Sequence, residues 1–276
     1  MTKAPVNRII PFSTVDGPGS RTSVFVQKCN IACGYCHNPE TQNMCRGCGR
    51  CVGKCPAGAL AQNGASVLWD AAKCVSCDTC IAVCPYRASP KIRWMDAPAV
   101  MREVEKNIPF IRGITVSGGE CALYPQFLLE LFTLAKARGL TCLCDSNGTV
   151  RFSDFPGLME VCDGVMLDVK SWSPEVFRAL TGGDNAPVIA NLANLSSRGK
   201  LEEVRVVVVD GRVDAEDVIR GTAKAVDPRV TRLVLISFRA NGVKGPFAAI
   251  TPPSPERMRA LAALASSVGF REIVVK

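Results

Sequence analysis

The feature that most constrains this chain is the placement of its cysteines. Of 15 in 276 residues, 11 fall between Cys29 and Cys84, and only four follow Pro85. A stretch so crowded with thiols makes little apolar core of its own and needs staples. Which staple depends on the compartment. Met1 to Ile10 lacks the apolar middle and cleavage site of a signal peptide, and no apolar run approaches the roughly 20 residues of a membrane span. We expect a cytoplasmic protein with no membrane segment. In a reducing cytosol, crowded cysteines read as metal ligands rather than disulfides. With 47% hydrophobic and 21% charged residues, the chain can bury a core and suits one large domain carrying a small insert.

The dense block contains an internal repeat, Cys45, Cys48, Cys51, Cys55-Pro56 and then Cys74, Cys77, Cys80, Cys84-Pro85. This is the bacterial ferredoxin spacing, in which the fourth cysteine of each run crosses to the other four-iron cluster. One 4Fe-4S cluster should take Cys45, Cys48, Cys51 and Cys84, and the other Cys74, Cys77, Cys80 and Cys55. Paired zinc sites are the alternative, but these use separated C-x2-C knuckles rather than four-cysteine runs ending in proline. We read residues 44–90 as a ferredoxin-like insert that interrupts a domain made of residues 1–43 and 91–276.

Cys29, Cys33 and Cys36 stand apart, with no fourth cysteine nearby. A cube held there keeps one iron without a protein ligand, and an open metal position distinguishes a reacting site from a structural one. Zinc completed by His37 is the alternative, though adjacent residues chelate one small ion awkwardly. The formal charge of +8 counts thiols as neutral. Two clusters of about −2 and one of about −1 lower the balance to roughly +3. The basic excess therefore gives little reason to expect nucleic acid.

Downstream, strand-like runs alternate with helical segments. The strands are Thr22–Gln27, Gly113–Val116, Leu140–Cys144, Val165–Val169, Glu203–Val209 and Arg232–Ile236. Helices are expected over Pro125–Arg138, from Ser173-Pro174-Glu175, and from Ser254-Pro255-Glu256, each serine a cap before proline. Six such units argue an α/β fold with a parallel sheet, barrel-like or doubly wound. In either case ligands gather at the carboxyl ends of the strands.

Unusual residues fall at those ends. In Ser117-Gly118-Gly119-Glu120, the glycines let backbone approach a ligand and Glu120 can accept from an ammonium group, or the segment is an ordinary turn. Asp145-Ser146-Asn147-Gly148 and Met166-Leu167-Asp168-Val169-Lys170 each read as a site or as a turn and a solvated charge pair. Arg205 lies in a valine-rich strand, where a buried guanidinium needs an anionic partner, unless its long side chain reaches water at the edge. Cys121, Cys142, Cys144 and Cys162 read as buried small apolar residues; Cys142 and Cys144 share a strand face that could also put a thiol near the site.

The run Cys29-Asn-Ile-Ala-Cys33-Gly-Tyr35-Cys36 after a first strand resembles the radical S-adenosylmethionine (SAM) superfamily. With Asp16-Gly17-Pro-Gly-Ser-Arg21, His37-Asn38-Pro39 and the insert, the chain resembles insert-bearing activases of glycyl radical enzymes, most closely the YjjW type. The resemblance implies a partial (β/α)6 barrel and three 4Fe-4S clusters, one of which binds SAM. One electron from that cluster would cleave the sulfur–C5′ bond. The resulting 5′-deoxyadenosyl radical would take a hydrogen from a glycine of the partner enzyme, with flavodoxin or ferredoxin as electron donor.

The same resemblance places Tyr35, Cys36, His37, Gly118, Gly119, Glu120, Val169, Lys170, Arg205 and Arg239 about SAM. Glu120 would take its amino group, Lys170 and Arg205 its carboxylate, and Arg239 its ribose. Asp145, Ser146, Met166 and Asp168 would surround a monovalent cation, and Asp16 and Gly17 would bind the protein substrate. Departures from the family pattern are Phe238-Arg239 for Phe-His, Cys121 for proline and Asp210 for proline. The rivals are a radical SAM enzyme acting on a small molecule and an electron-transfer iron–sulfur protein.

Overall fold

The computed structural model describes residues 1–240, 242–243 and 245–276. The chain opens with the long strand β1 (Lys3–Ser13), which turns back as β2 (Arg21–Val26). Residues 44–90 contribute only the hairpin β3 (Leu60–Asn63) and β4 (Ser66–Trp69), short turns, and the one-turn helix α1 (Thr79–Ala82). Strand β5 (Arg93–Asp96) and α2 (Ala97–Glu105) then lead back to the sheet. After them β6 (Gly113–Gly118), α3 (Pro125–Lys136), β7 (Thr141–Ser146), α4 (Pro156–Val161) and β8 (Gly164–Asp168) alternate. Helices α5 (Pro174–Thr181) and α6 (Ala186–Ser197) precede β9 (Leu201–Val208), α7 (Ala215–Ala225), β10 (Arg232–Ser237), α8 (Pro255–Ser267) and β11 (Glu272–Val275).

The main sheet runs β5-β1-β2-β6-β7-β8-β9-β10-β11. It is antiparallel where β1 meets β2 and β5, and parallel from β2 to β11. The parallel strands follow chain order and never reverse. A doubly wound sheet reverses at a switch point, so the barrel-like alternative holds. The sheet is also curled. Strands β2 and β10 lie five spacings apart, about 24 Å on a flat sheet. Yet His37 from the loop after β2 stacks on Phe238 after β10, ring centroids 6.1 Å apart.

Helix α3 shows why the helices face the sheet. Phe127, Leu128, Leu131, Phe132 and Ala135 recur at helical spacing, and all are buried. Inside the insert the apolar cluster is only Cys51, Leu60 and Cys80, with a few half-buried neighbours. Among the described residues, no helix is long and apolar enough to cross a membrane.

Three strands of the sheet were not anticipated. Pro5 and Pro11 argue against a strand at β1, but register shifts between Val6 and Arg8 and between Ile10 and Ser13 loosen the ladder there. Strands β5 and β11 are four residues long at the two sheet edges, too short to show a period.

Candidate functional site

At the carboxyl ends of the parallel strands lies a cavity of about 210 Å³. Its wall includes Cys29, Cys33, Tyr35, Cys36 and His37 from the loop after β2, and Gly118 and Gly119 from the end of β6. Asp145 and Ser146 of β7, Asp168 and Lys170 at the end of β8, and Arg205 of β9 complete the polar side. Twelve residues expected in a cofactor site therefore meet in one cavity. Val207 and Ile236 add an apolar patch, which only a curled sheet can bring around.

Burial governs the thiols. It pushes Cys29 up to about 11 and Cys33 up to about 12, and raises Cys36 as well. Without a metal they stay protonated; a bound metal's charge is what ionises such ligands. Among the described residues, no three His, Cys, Asp or Glu side chains gather closely enough to hold a single ion. A mononuclear zinc would need such a group. His37 instead bonds the backbone of Arg239, and burial lowers its pKa.

The two glycines serve the chain's own backbone. Gly118 has φ +120°, and a Cβ there would lie 2.2 Å from the Val26 carbonyl oxygen. A Cβ on Gly119 would lie 2.1 Å from the Lys28 carbonyl oxygen. These contacts hold the cysteine loop against the end of β6.

Glu120 departs from expectation. It is wholly buried, and its carboxylate accepts from Ser146 Oγ at 2.8 Å, the Asn147 amide at 2.7 Å and the Ala122 amide at 2.9 Å. It is absent from the cavity wall. Two of these bonds tie it to the end of β7 and the loop beyond, where Asn147 in turn donates to Cys29 Sγ at 3.5 Å.

Arg205 is buried among acids. Its Nη1 lies 3.1 Å from Asp145 Oδ2, its Nε pairs with Glu203, and its Nη2 donates to Met166 Sδ at 3.0 Å. Burial works against the guanidinium, but Asp145 and Glu203 outweigh it and hold the group above its usual range. Burial likewise raises the Asp145 carboxyl to about 6, against the pull of Arg205. Lys170 Nζ pairs with Asp168 at 2.7 Å. Burial opposes its charge too, yet Asp168 leaves its pKa well above the usual value.

Other expected residues fall elsewhere. Val169 is core, its amide donating to the Arg205 carbonyl at 2.9 Å. Arg239 is exposed and outside the wall, because buried Phe238 takes the inward position against His37. Asp16 and Gly17 lie outside the wall, in the β1–β2 turn, which folds back against the middle of the parallel strands, where Thr115 Oγ1 donates to the Asp16 carbonyl at 2.6 Å. Asp16 Oδ2 accepts from Ser13 and Ser23, and a Cβ on Gly17 would meet Leu143 and Met166. Cys121, Cys142, Cys144 and Cys162 are fully buried, as apolar residues would be, and none lines the cavity.

Sequence reasoning missed Gln42, whose Nε2 donates to the Cys33 carbonyl at 3.1 Å; nothing around it in sequence marks it. It also missed Glu203, although an acid two residues before Arg205, on the same strand face, was a signal.

The fit to a cluster and SAM rests on two observations. Three thiols, Cys33 buried and Cys29 and Cys36 half-buried, share one wall, and the Tyr35 hydroxyl in that wall is buried with no hydrogen-bond partner. Buried polar groups need partners, and a polar ligand would supply one. In the insert, Cys45, Cys48, Cys51 and Cys84 border one small cavity and Cys55, Cys74, Cys77 and Cys80 another, with Cys80 touching both.

Comparison with known proteins agrees with this geometry. The Radical SAM superfamily matches residues 23–221. The chain is 31% identical to the pyruvate formate-lyase-activating enzyme of Streptococcus mutans, covering 92% of this chain and 88% of that one. It is 32% identical to the isethionate sulfite-lyase activating enzyme of Oleidesulfovibrio alaskensis, covering 84% and 82%. The crystal structure of QueE from Escherichia coli shares the fold, with a TM-score of 0.55 at 14% identity over 99% of this chain and 94% of that one. The chain belongs to the radical SAM superfamily and, within it, to the glycyl-radical-enzyme activating enzymes.

Proposed function

We propose that this protein activates a partner glycyl radical enzyme, and that it belongs to the branch whose insert carries two further 4Fe-4S clusters. The observation that carries the reading is the convergence of three thiols, two acid–base pairs and an unpartnered tyrosine hydroxyl on one cavity. Cys29, Cys33 and Cys36 would hold a 4Fe-4S cluster, and the cavity beside them would hold SAM. When bound and reduced, that cluster supplies the electron that cleaves SAM to methionine and the 5′-deoxyadenosyl radical, which takes a hydrogen from the partner's glycine.

The chain's own residues fix the geometry, and fixed geometry turns electron transfer into a positioned event. Lys170 faces the SAM carboxylate. The Ser117–Gly119 backbone and the Tyr35 hydroxyl meet its polar groups, and Val207 and Ile236 give an apolar surface for the nucleoside. Glu120 acts at one remove, holding Asn147 toward the Cys29 sulfur. The Asp16–Gly17 turn receives the partner's glycine segment; its half-exposed position beside Leu143 and Met166 supports this.

In the insert, we assign Cys45, Cys48, Cys51 and Cys84 to one cluster and Cys74, Cys77, Cys80 and Cys55 to the other. The two cavities these sets border support the pairing. Bound there, such clusters would supply a path for electrons from flavodoxin or ferredoxin in the cytosol.

The test is anaerobic reconstitution, dithionite reduction and addition of SAM. Equal yields of methionine and 5′-deoxyadenosine are expected, followed by a SAM-dependent carbon-centred radical on the partner by electron paramagnetic resonance. No 5′-deoxyadenosine, or cleavage without a partner radical, would overturn the reading.

A further inference from the structure

The resemblance anticipates a monovalent cation held by Asp145, Ser146, Met166 and Asp168. In this structure each of the four already has a partner within the chain at one atom. Ser146 Oγ donates to Glu120, and Asp168 pairs with Lys170. Asp145 and Met166 are both taken by one guanidinium, that of Arg205. An ion among these donors would stand beside two cations already there, Arg205 on Asp145 and Met166 and Lys170 on Asp168.

The guanidinium is held by design of the strand. Successive residues of a strand point to opposite faces, so Glu203 and Arg205 of β9 share one. In register, Glu203 lies opposite Met166 and Arg205 opposite Asp168 on β8. Glu203 is only 2% exposed and takes the Nε of Arg205. Its second oxygen lies 3.7 Å from Arg232. With Nε satisfied, the planar fork has one orientation left, and its two terminal nitrogens reach Asp145 and Met166. A guanidinium stays charged throughout the physiological range, so this counter-charge is permanent.

We propose that this activase binds and cleaves SAM without a monovalent cation, because Arg205, locked by the positioning residue Glu203, takes that cation's place. The proposal deepens the assignment above and rests on the cavity binding SAM. An ion entering beside Asp145 would face the guanidinium as a like charge, so SAM and the ion have no shared site through which to couple.

The experiment uses the fully reconstituted holoenzyme, exchanged into tetramethylammonium salt at constant ionic strength. SAM affinity by equilibrium dialysis and 5′-deoxyadenosine formation are then read as potassium or sodium replaces tetramethylammonium. We expect both to change by less than about twofold, whereas an ion bridging protein and SAM would couple to it by roughly tenfold or more. A tenfold tightening by either ion overturns the proposal.

The double variant Arg205→Met with Glu203→Met removes the buried pair together and frees Asp145. It should bind SAM about tenfold more weakly in tetramethylammonium and recover in potassium, the size of coupling expected of a shared site. Weakening that potassium does not restore overturns the replacement. If that variant does not fold, the wild-type titration decides alone. Absence of SAM binding under every salt takes down the SAM assignment together with this one, a result distinct from potassium dependence.

Discussion

At the scale of single residues, the chain shows how identity and role separate. The grouping of the cysteines was legible because their spacing is local, and each expected set borders a cavity of its own. We expect Cys33→Ala to lose roughly four irons per chain, those of one cube, to keep the insert's spectrum, and to lose SAM cleavage. Iron analysis with product chromatography would show it, and retained cleavage would count against Cys33 as a ligand. Gly118 was legible as a glycine but not for its reason. Its φ of +120° and the 2.2 Å approach to Val26 are properties of two strands meeting. Gly118→Ala should therefore cost about 3 kcal/mol or more, a drop of about 6 °C or more in Tm for a chain of this size. An unchanged Tm would mean that the cysteine loop does not press on β6. Glu120 shows the limit of such reading, since no sequence pattern says that Ser146 and Asn147 will bond its oxygens.

At the scale of elements, punctuation proved more informative than propensity. Ser173 and Ser254 were read as caps before proline, and both accept from the third amide beyond, at 3.3 and 3.1 Å. Replacing a capping serine costs about 1 kcal/mol, so Ser254→Ala should lower the unfolding free energy of the barrel, read from denaturant titration, by that amount without touching SAM binding. A neutral result would mean that Arg257, paired with Asp210 and Glu216 from outside the helix, fixes the start of α8 unaided. All six parallel strands that shape the cavity were anticipated within a residue or two, because buried parallel strands read as apolar runs. β1 escaped, because prolines disfavour an ordinary ladder and this one accommodates Pro5 and Pro11 beside register shifts.

At the scale of the whole molecule, two regions differ in what holds them. The curled sheet buries a continuous core, whereas the insert's own cluster is Cys51, Leu60 and Cys80. If the insert depends on iron, chelation under mild oxidation should leave the barrel folded while residues 44–90 open, since metal binding and folding are one process in such modules. Limited trypsin digestion should then cut first at Arg50, Lys54 or Lys73. An iron-free insert as resistant as the barrel would show that its fold stands without clusters. By itself the sequence determined which donors exist and which can share a small ion or cube, because that follows from chain spacing over a few residues. It also determined the alternation that builds the sheet, because burial on both faces imprints an apolar run. Only the tertiary structure decided which of those donors are free. Glu120 faces a loop, Arg239 faces solvent, and Arg205 stands on Asp145, because the partners that occupy a side chain come from strands dozens of residues away.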